Sequence, residues 1–394
     1  MGFIEKNVFF MTPFFYHSRR EVIKMKQFSV VPKITMLETC DEFKREYQIG
    51  EHDLVFTIEV TWQSYFADVS AGTVIYIEQY GQGEPADEMI EAICADIKKP
   101  YTRVIAIGGG TVLDCAKLFA LKQTLPVSDL FDKKIPAVKD KPLLLVPTTC
   151  GTGSEMTNIS ILEFKERHTK FGLADDALYA DEAVLIPELL EKLPYKVFAA
   201  SSIDALVHAA ESYLSPKATP LSKMFSIQAM TMILKGYKTI FSDGKESLKS
   251  MLPDFCLAST LAGIAFSNAG CAAVHAMSYP LGANFHVPHG ESNYAMFTGV
   301  FKKYMEINPT GAISELNTLM AMILECKTSE VYEKLENLLN SSILPKKALH
   351  EYGMTEEQIV EFTNSVIQNQ QRLLGNNYVF LDRNSIIEIY TRLF

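Results

Sequence analysis

The sequence predicts a protein of two domains, an N-terminal α/β domain with a parallel sheet and a C-terminal all-helical domain. Short β-rich segments alternate with amphipathic helical segments between Asp53 and Thr149, whereas only helical patterns follow Leu193-Pro194. A length of 394 residues also exceeds what one hydrophobic core usually serves. We therefore predict an α/β domain at 25–194, a helical domain at 195–394, and an N-terminal extension at 1–24 outside the fold.

The predicted strands of the first half are continuous apolar runs rather than alternating ones. Such runs are typical of parallel strands that helices cover on both faces. We predict strands at 54–58, 74–77, 104–107 and 143–146, with helices at 88–97 and 111–121. This order indicates a nucleotide-binding architecture, because ligands of open α/β sheets bind at the carboxyl ends of the strands.

The second half contains long helical patterns without a β-rich run among them. Helices are predicted at 202–214, 221–237 and 253–276, and several more follow up to the C-terminus. Proline and glycine punctuate these patterns, for example at Ser215-Pro216 and Asp243-Gly244. The second domain is therefore expected to be all-helical.

The composition excludes several classes of function. The chain has 37 basic and 47 acidic side chains and a net charge of -10, whereas a nucleic-acid-binding surface needs clustered Lys and Arg. No apolar run reaches the roughly 20 residues of a membrane-spanning helix. The seven cysteines are an odd number, widely spaced and without a CxxC motif, so we predict reduced thiols, no disulfide framework and a cytoplasmic location.

A glycine-rich turn follows the third predicted strand. The run GGGT at 108–111 stands at the carboxyl end of that strand and opens the next helix, where backbone N–H groups can meet a pyrophosphate. Leu113 occupies the third glycine position of a GxGxxG motif, so a tight turn that serves only packing is the alternative. Asp114 and Lys117, three residues apart, are expected to form a solvated ion pair.

A second polar turn follows the strand predicted at 143–146. Residues 147–155 read PTTCGTGSE, with four hydroxyl side chains and two glycines. Hydroxyls and backbone donors at this density, on a strand-to-helix turn, suit a phosphate or a ribose better than a solvent loop. The alternative is an ordinary polar loop that caps the next helix through Ser154.

The helical half contains a candidate metal site. Asp204 and His208 are four residues apart in a predicted helix, so both project from one face, and Glu211 shares that face and is expected to support them. An exposed polar stripe with a surface histidine is the alternative. His275 is predicted at the end of a long apolar helix, and His289 in a rigid turn at 287–290. One carboxylate and three imidazoles suit Fe²⁺ or Zn²⁺ and leave a position for substrate.

Together these motifs resemble the iron-dependent (group III) alcohol dehydrogenases. The matching residues are GGGT at 108–111 with Asp114 and Lys117, PTT and GTGSE within 147–155, DALxH with Glu211 at 204–211, and His275 fourteen residues before His289. The resemblance covers 25–394 and implies the dehydroquinate synthase-like fold of that family, an α/β dinucleotide-binding domain and an all-α metal-binding domain. Within the family, segments 167–170, 193–196, 284–291 and 351–354 are similar to the 4-hydroxybutyrate dehydrogenases.

The resemblance implies an NAD-dependent oxidoreductase that interconverts 4-hydroxybutyrate and succinate semialdehyde by hydride transfer at a metal-bound alkoxide. It assigns the metal, Fe²⁺ or else Zn²⁺, to Asp204, His208, His275 and His289. It assigns NAD to Gly109, Gly110, Thr111, Asp114, Thr148, Thr149, Thr152 and Lys170. Tyr279 stands where many members have a proton-transfer histidine, so Tyr279 and the nearby His286 are the predicted catalytic residues.

Other functions stay open at this point. An enzyme of the same fold could oxidise a primary alcohol or 1,3-propanediol, and a nucleotide-binding protein with a vestigial metal site is the non-catalytic alternative. A dehydroquinate synthase-like lyase is disfavoured, because the segment 275–289 has no Lys or Arg.

The expected partners are a small hydroxy acid or aldehyde and a second copy of the chain in a homodimer, with neither nucleic acid nor membrane. A substrate carboxylate should meet a cation at the far end of its pocket, but the sequence does not identify that residue.

Overall fold

The N-terminal half folds around a parallel sheet. The structure, a computed structural model, describes residues 27–394 apart from 82, 84 and 168, so the predicted extension at 1–24 lies outside the described residues. The sheet strands are β1 Lys33–Met36, β2 Asp53–Thr57, β3 Thr73–Tyr76, β4 Arg103–Gly108, β5 Leu143–Pro147 and β8 Glu182–Leu185. Within the described chain these six strands lie in the order β1-β8-β5-β4-β2-β3, and every neighbouring pair is parallel. Strands β6 Ile159–Phe164 and β7 Thr169–Ala174 form a separate antiparallel pair.

The four strands predicted from apolar runs are present, each within one residue of its predicted bounds. Every residue of β2 and β5 is buried, because the two faces of the sheet belong to different core clusters. Leu54 and Phe56 pack into one cluster and Val55, between them, into the other. The helices of this half are α1 Cys40–Tyr47, α2 Glu59–Tyr65, α3 Asp87–Asp96, α4 Gly110–Phe119 and α5 Val127–Phe131. The predicted α/β domain with a parallel sheet is confirmed.

From Tyr195 onward, the regular secondary structure of the described chain is helical. The helices are α6 Tyr195–Leu214, α7 Pro220–Asp243, α8 Leu248–Ala269, α9 Ala273–Phe285, α10 His289–Ile307, α11 Ala312–Leu324, α12 Val331–Leu338, α13 Glu356–Asn369, α14 Gln371–Leu374 and α15 Arg383–Leu393. The change from strands to helices falls next to the predicted boundary. The domain limits 25–194 and 195–394 themselves stay a prediction.

The helix predicted at 253–276 is wrong in its extent. Gly270 adopts a φ of 80°, a left-handed conformation that glycine tolerates, and it ends α8 at Ala269. A new helix, α9, begins at Ala273, so His275 lies in the first turn of a helix rather than at the end of one. The rigid turn predicted around His289 is also wrong, because His289 is the first residue of α10.

Helix α8 has a strongly apolar sequence. The segment Lys245–Ala269, which contains α8, is long and apolar enough to cross a membrane by length and composition. In the fold it packs against α6 and α7, and its residues Phe255, Cys256 and Ala262 are buried. This is the position of a core helix in a helical domain.

Candidate metal and cofactor site

Four side chains from three helices converge on one point. Asp204 and His208 project from one face of α6, His275 from the first turn of α9, and His289 from the start of α10. Oδ1 of Asp204 lies 3.8 Å from Nε2 of His208, 3.6 Å from Nε2 of His275 and 3.7 Å from Nε2 of His289. One possible ligand atom of each residue lies within 4.8 Å of the other three. The structure therefore brings together the four residues predicted as metal ligands.

This spacing fits a single metal ion. Bonds of about 2.1 Å in a tetrahedral arrangement place neighbouring ligand atoms about 3.4 Å apart. Nε2 of His275 is buried and has no hydrogen-bond partner among the described residues, which is costly for a polar atom unless a cation takes its lone pair. Three nitrogen donors and one carboxylate oxygen form a set that both Fe²⁺ and Zn²⁺ accept.

The carboxylate at the centre of this cluster is held ionised. Burial alone would raise the pKa of Asp204, but the three surrounding imidazoles hold that pKa well below its usual value. Nδ2 of Asn293 donates a hydrogen bond to Oδ1 of Asp204 at 2.7 Å, and the Ser278 hydroxyl donates to Oδ1 of Asn293 at 2.5 Å. Asn293 therefore orients the carboxylate. Sequence reasoning missed it, although it lies one helical turn after His289.

Glu211, expected from the sequence to support Asp204 and His208, instead fixes the orientation of His275. Nδ1 of His275 lies 2.6 Å from Oε2 of the buried Glu211. The same carboxylate accepts hydrogen bonds from the backbone N–H groups of Ala272 and Val274, at 3.0 and 2.6 Å. Glu211 thus stabilises the N-terminus of α9 and holds the proton of His275 on Nδ1. The lone pair of Nε2 is left facing Asp204.

His208 connects the cluster to the α/β domain. Its Nδ1 lies 3.2 Å from the backbone oxygen of Gly151, which belongs to the polar turn after β5. Its ring stacks between Phe266 and His275, with centroid distances of 4.3 and 4.7 Å. Donation from Nδ1 to Gly151 leaves Nε2 of His208 as an acceptor, so the turn and the cluster are structurally coupled.

The two predicted cofactor turns pack against each other at the start of α4. Gly109 is the N-cap of α4. A Cβ atom on Gly109 would lie 3.3 Å from Cγ2 of Thr149, and one on Gly110 only 2.7 Å from Cγ2 of Thr152. The backbone N–H of Thr148 donates to the oxygen of Gly108 at 3.0 Å. The glycines therefore permit close contact of the turns, and the N-terminus of α4 still opens on the cavity described below.

The solvated ion pair predicted for Asp114 and Lys117 is wrong, because Lys117 is fully buried. Its ammonium group lies 3.1 Å from Oδ1 of Asp114, and it donates to the hydroxyls of Ser154 and Thr157 at 2.7 and 3.0 Å and to the backbone oxygen of Ile159 at 2.6 Å. Burial lowers the pKa of Lys117 against the opposing effect of Asp114. The pair ties α4 to the polar turn and to β6. A three-residue spacing does not reveal this, since it is equally typical of surface pairs.

A cavity of about 240 Å³ joins the two halves of the site. Its lining includes Gly110, Thr111, Asp114, Thr152 and Lys170 of the predicted cofactor residues and all four residues of the metal cluster. Gly109, Thr148 and Thr149 are not among the lining residues and support the turns instead. The cavity therefore places a helix N-terminus, which favours an anionic group, beside a cluster suited to a cation.

The two predicted catalytic residues have different positions. Tyr279 lines the cavity, and its ring centroid lies 6.0 Å from that of His289. His286 is exposed at the C-terminal end of α9, about 16 Å along the helix axis from His275. The proton relay predicted for His286 is therefore not supported, because the side chain lies outside the cavity.

Cys271 is a cavity residue that sequence reasoning did not select. It precedes α9 and lies beside His208 and His275. Burial alone would raise the pKa of its thiol, but the two imidazoles lower that pKa to about 7. All seven cysteines, which lie within the described residues, are free thiols.

Comparison with known proteins identifies the family of this chain. The family model for iron-containing alcohol dehydrogenase matches residues 34–187, and that for the C-terminal part of the Fe-containing alcohol dehydrogenase family matches 198–394. A 4-hydroxybutyrate dehydrogenase from Clostridium kluyveri is 49% identical over 372 residues, 94% of this chain and 100% of that protein. Long-chain-alcohol dehydrogenase 1 from Geobacillus thermodenitrificans is 36% identical over 307 residues, 75% of each chain.

Solved structures share the fold. Sulfoacetaldehyde reductase from Bifidobacterium kashiwanohense, solved in complex with NAD+, has a TM-score of 0.79 and 22% identity, covering 94% of this chain and 98% of that one. A 1,3-propanediol oxidoreductase has the same TM-score and identity, covering 94% and 100%. The family models span both halves of the chain, and a relative of high identity matches nearly all of it. The chain belongs to the iron-containing alcohol dehydrogenase family.

Proposed function

We propose that this chain is an NAD-dependent 4-hydroxybutyrate dehydrogenase. It would convert 4-hydroxybutyrate and NAD⁺ into succinate semialdehyde, NADH and a proton, and catalyse the reverse reaction. The observation that carries the chemistry is the shared cavity, which joins a helix N-terminus and a polar turn to a cluster of one carboxylate and three imidazoles. The 49% identity to the Clostridium kluyveri enzyme supports the choice of substrate.

Asp204, His208, His275 and His289 would hold the metal, with Fe²⁺ favoured by the family and Zn²⁺ compatible with the donor set. When bound, such a cation acts as a Lewis acid that lowers the pKa of the substrate hydroxyl and polarises the aldehyde in reverse. Glu211, Gly151 and Asn293 keep three of these side chains in place through the hydrogen bonds described above. A fixed orientation maintains both the affinity and the geometry of such a site.

The cofactor would lie along the two turns. Backbone N–H groups at Gly110 and Thr111, at the start of α4, favour the pyrophosphate of NAD. Thr152 and Lys170 line the same cavity, and the resemblance assigns them to the nicotinamide side and the ribose. Bound NAD⁺ would supply the hydride acceptor for C4 of 4-hydroxybutyrate, and Tyr279, whose ring centroid lies 6.0 Å from that of His289, would take the hydroxyl proton.

The first test compares alcohols on the purified, metal-loaded enzyme. We expect kcat/KM for 4-hydroxybutyrate to exceed that for 1-butanol and 1,3-propanediol at least tenfold, a factor that corresponds to about 1.4 kcal/mol. NADH formation measures the rates. Equal values for the three alcohols would favour the alternative, a primary alcohol or 1,3-propanediol dehydrogenase of the same fold.

A chelation experiment separates the enzyme from a nucleotide-binding protein with a vestigial metal site. We expect a chelator to abolish NADH formation, and Fe²⁺ or Zn²⁺ to restore it after the chelator is removed. NAD⁺ binding should persist in the chelated protein, because the turns that bind it do not depend on the metal. NADH formation that is unchanged by the chelator would contradict the metal mechanism.

We further propose a homodimer that acts in the cytoplasm, where both the cofactor and reduced thiols are expected. The family acts on small-molecule substrates, and the seven free thiols are compatible with a reducing compartment. Light scattering of the protein eluting from a sizing column should give twice the mass of one chain. A monomer at micromolar concentration would contradict the dimer.

A further inference from the structure

We infer that Arg372 binds the carboxylate of the substrate, which makes it the specificity-determining residue of the enzyme; this inference rests on the proposed function. Among the described residues that line the cavity, Lys170 on β7 and Arg372 on α14 are the lysine and the arginine. The resemblance assigns Lys170 to the cofactor. Hydride transfer by itself does not require an arginine on α14.

Arg372 lies over β7, the strand that carries Lys170. Alternate residues of a strand point to the same side, so Lys170 and Gly172 share one face of β7. Nη2 of Arg372 lies 3.8 Å from the place that a Cβ atom on Gly172 would occupy. Because Gly172 has no side chain, the guanidinium lies over bare backbone. The adjacent Leu373 is buried and lines the same cavity, and it anchors the short helix α14.

The guanidinium of Arg372 is available for an anion. Arg103, Arg167 and Arg392 each form an ion pair with an aspartate or a glutamate. Within the described part of the chain no carboxylate lies within ion-pair distance of Arg372, and its side chain is exposed to solvent. A planar guanidinium matches the two oxygens of a carboxylate and exchanges its hydration for two parallel hydrogen bonds.

Tyr279 lies between the metal cluster and the basic side chains Lys170 and Arg372 that line the cavity. Its ring centroid is 6.0 Å from the ring of His289, and the Nζ atom of Lys170 is 5.8 Å from the ring of Tyr279. A substrate whose hydroxyl faces the cluster therefore extends past Tyr279, and its other end meets Arg372. Such a path selects a short alcohol with an anionic terminus over an uncharged alcohol of the same length.

The test replaces Arg372 and compares a charged with an uncharged substrate. In Arg372→Gln we expect kcat/KM for 4-hydroxybutyrate to fall by about 10- to 100-fold, mainly through KM, because two charge-assisted hydrogen bonds are lost. The ratio of this value to kcat/KM for 1-butanol should fall by the same factor. Arg372→Lys should recover part of the ratio. Arg383→Gln, which changes an arginine that does not line the cavity and contacts Asn364, is the matched control and should keep the ratio of the wild type.

Two further measurements make the outcome decisive. The inference would be overturned if Arg372→Gln left the ratio of kcat/KM for 4-hydroxybutyrate to kcat/KM for 1-butanol unchanged. It would also be overturned if the KM for NAD⁺ rose as much as the KM for 4-hydroxybutyrate, because that result would indicate a contact with the cofactor. Inhibition of 1-butanol oxidation by butyrate tests the carboxylate site without relying on 4-hydroxybutyrate turnover. We expect the inhibition constant of butyrate to rise at least tenfold in Arg372→Gln. If the wild type does not prefer 4-hydroxybutyrate but this rise occurs, the proposed function and the specificity role of Arg372 both fail, while Arg372 still binds a carboxylate; if the wild type prefers 4-hydroxybutyrate and the rise is absent, only the inference fails.

Discussion

Two buried polar clusters border the same cavity, and they differ in one respect. In the α/β domain, the ammonium group of Lys117 is surrounded by oxygens of Asp114, Ser154, Thr157 and Ile159. In the helical domain, three imidazoles surround Asp204, and Nε2 of His275 has no partner among the described residues. The hydrogen bonds of the Lys117 ammonium group are all made within the protein, whereas the second cluster leaves a buried ring nitrogen without a partner among the described residues.

The difference indicates which cluster stabilises the fold and which one binds a ligand. A buried charge that is fully hydrogen-bonded holds neighbouring segments in one arrangement, here α4, the polar turn and β6. A buried polar atom without a partner requires another explanation, and a metal ion is the one that fits three nitrogens around a carboxylate. Substitutions in the two clusters should therefore change different quantities.

Removal of a proposed metal ligand should have the largest effect. In His275→Ala we expect the bound metal to fall below about a tenth of the wild-type content, because three ligands hold such an ion far less well than four. Elemental analysis of the purified protein measures the metal, and circular dichroism verifies folding. Asp204→Asn should show the same loss with less change of side-chain volume.

His52→Ala is the control for this experiment, because His52 is an exposed histidine that does not line the cavity. It should retain the full metal content. Full occupancy in His275→Ala would contradict the assignment of this residue as a ligand and would remove the contrast between the clusters.

Loss of the buried ammonium group should mainly change stability. In Lys117→Met we expect the free energy of unfolding to fall by about 3–5 kcal/mol, because Asp114 and two hydroxyls lose their buried partner. Urea denaturation measures this change. The folded fraction should still bind one metal per chain.

Lys33→Met is the matched surface change, since Lys33 pairs with Glu182 and its side chain is 71% exposed. We expect its free energy of unfolding to fall by about 1 kcal/mol or less. If the two lysine variants lost equal stability, the anchoring role of Lys117 would be wrong.

Glu211→Gln should have the smallest of the three effects. The NH2 group of Gln cannot accept, so it must face either Val274 or the pair of donors from Ala272 and His275, and the orientation of His275 is weakened. We expect the metal affinity to fall about 10- to 100-fold, which is typical when the partner of a ligand is lost. Competition with a chelator of known affinity measures it.

Glu315→Gln provides the comparison for Glu211→Gln. Glu315 pairs with Lys223 on the surface of the helical domain, and its side chain is 63% exposed. An equal loss of metal affinity in both variants would indicate a general electrostatic effect and not an effect on His275.

Much of the fold was predictable from the amino-acid sequence. Apolar runs located the strands β2, β3, β4 and β5 to within a residue, because a strand covered on both faces has to be apolar throughout. The four-residue spacing placed Asp204 and His208 on one face of α6. His275 and His289 were candidates from their apolar or glycine-bounded surroundings, and the resemblance then assigned them as ligands, since nothing in their spacing along the chain brings them to Asp204.

The remaining features depended on the tertiary structure. The apolar pattern at 253–276 continues through the break at Gly270, and the carboxylate that stabilises the start of α9 comes from Glu211, 61 residues before Ala272. Arg372 meets β7 about 200 residues away in the chain, and the three-residue spacing of Asp114 and Lys117 is the same in a buried pair as in an exposed one. Sequence patterns report local periodicity, whereas burial, capping and the lining of a cavity are decided by segments that meet only when the chain packs.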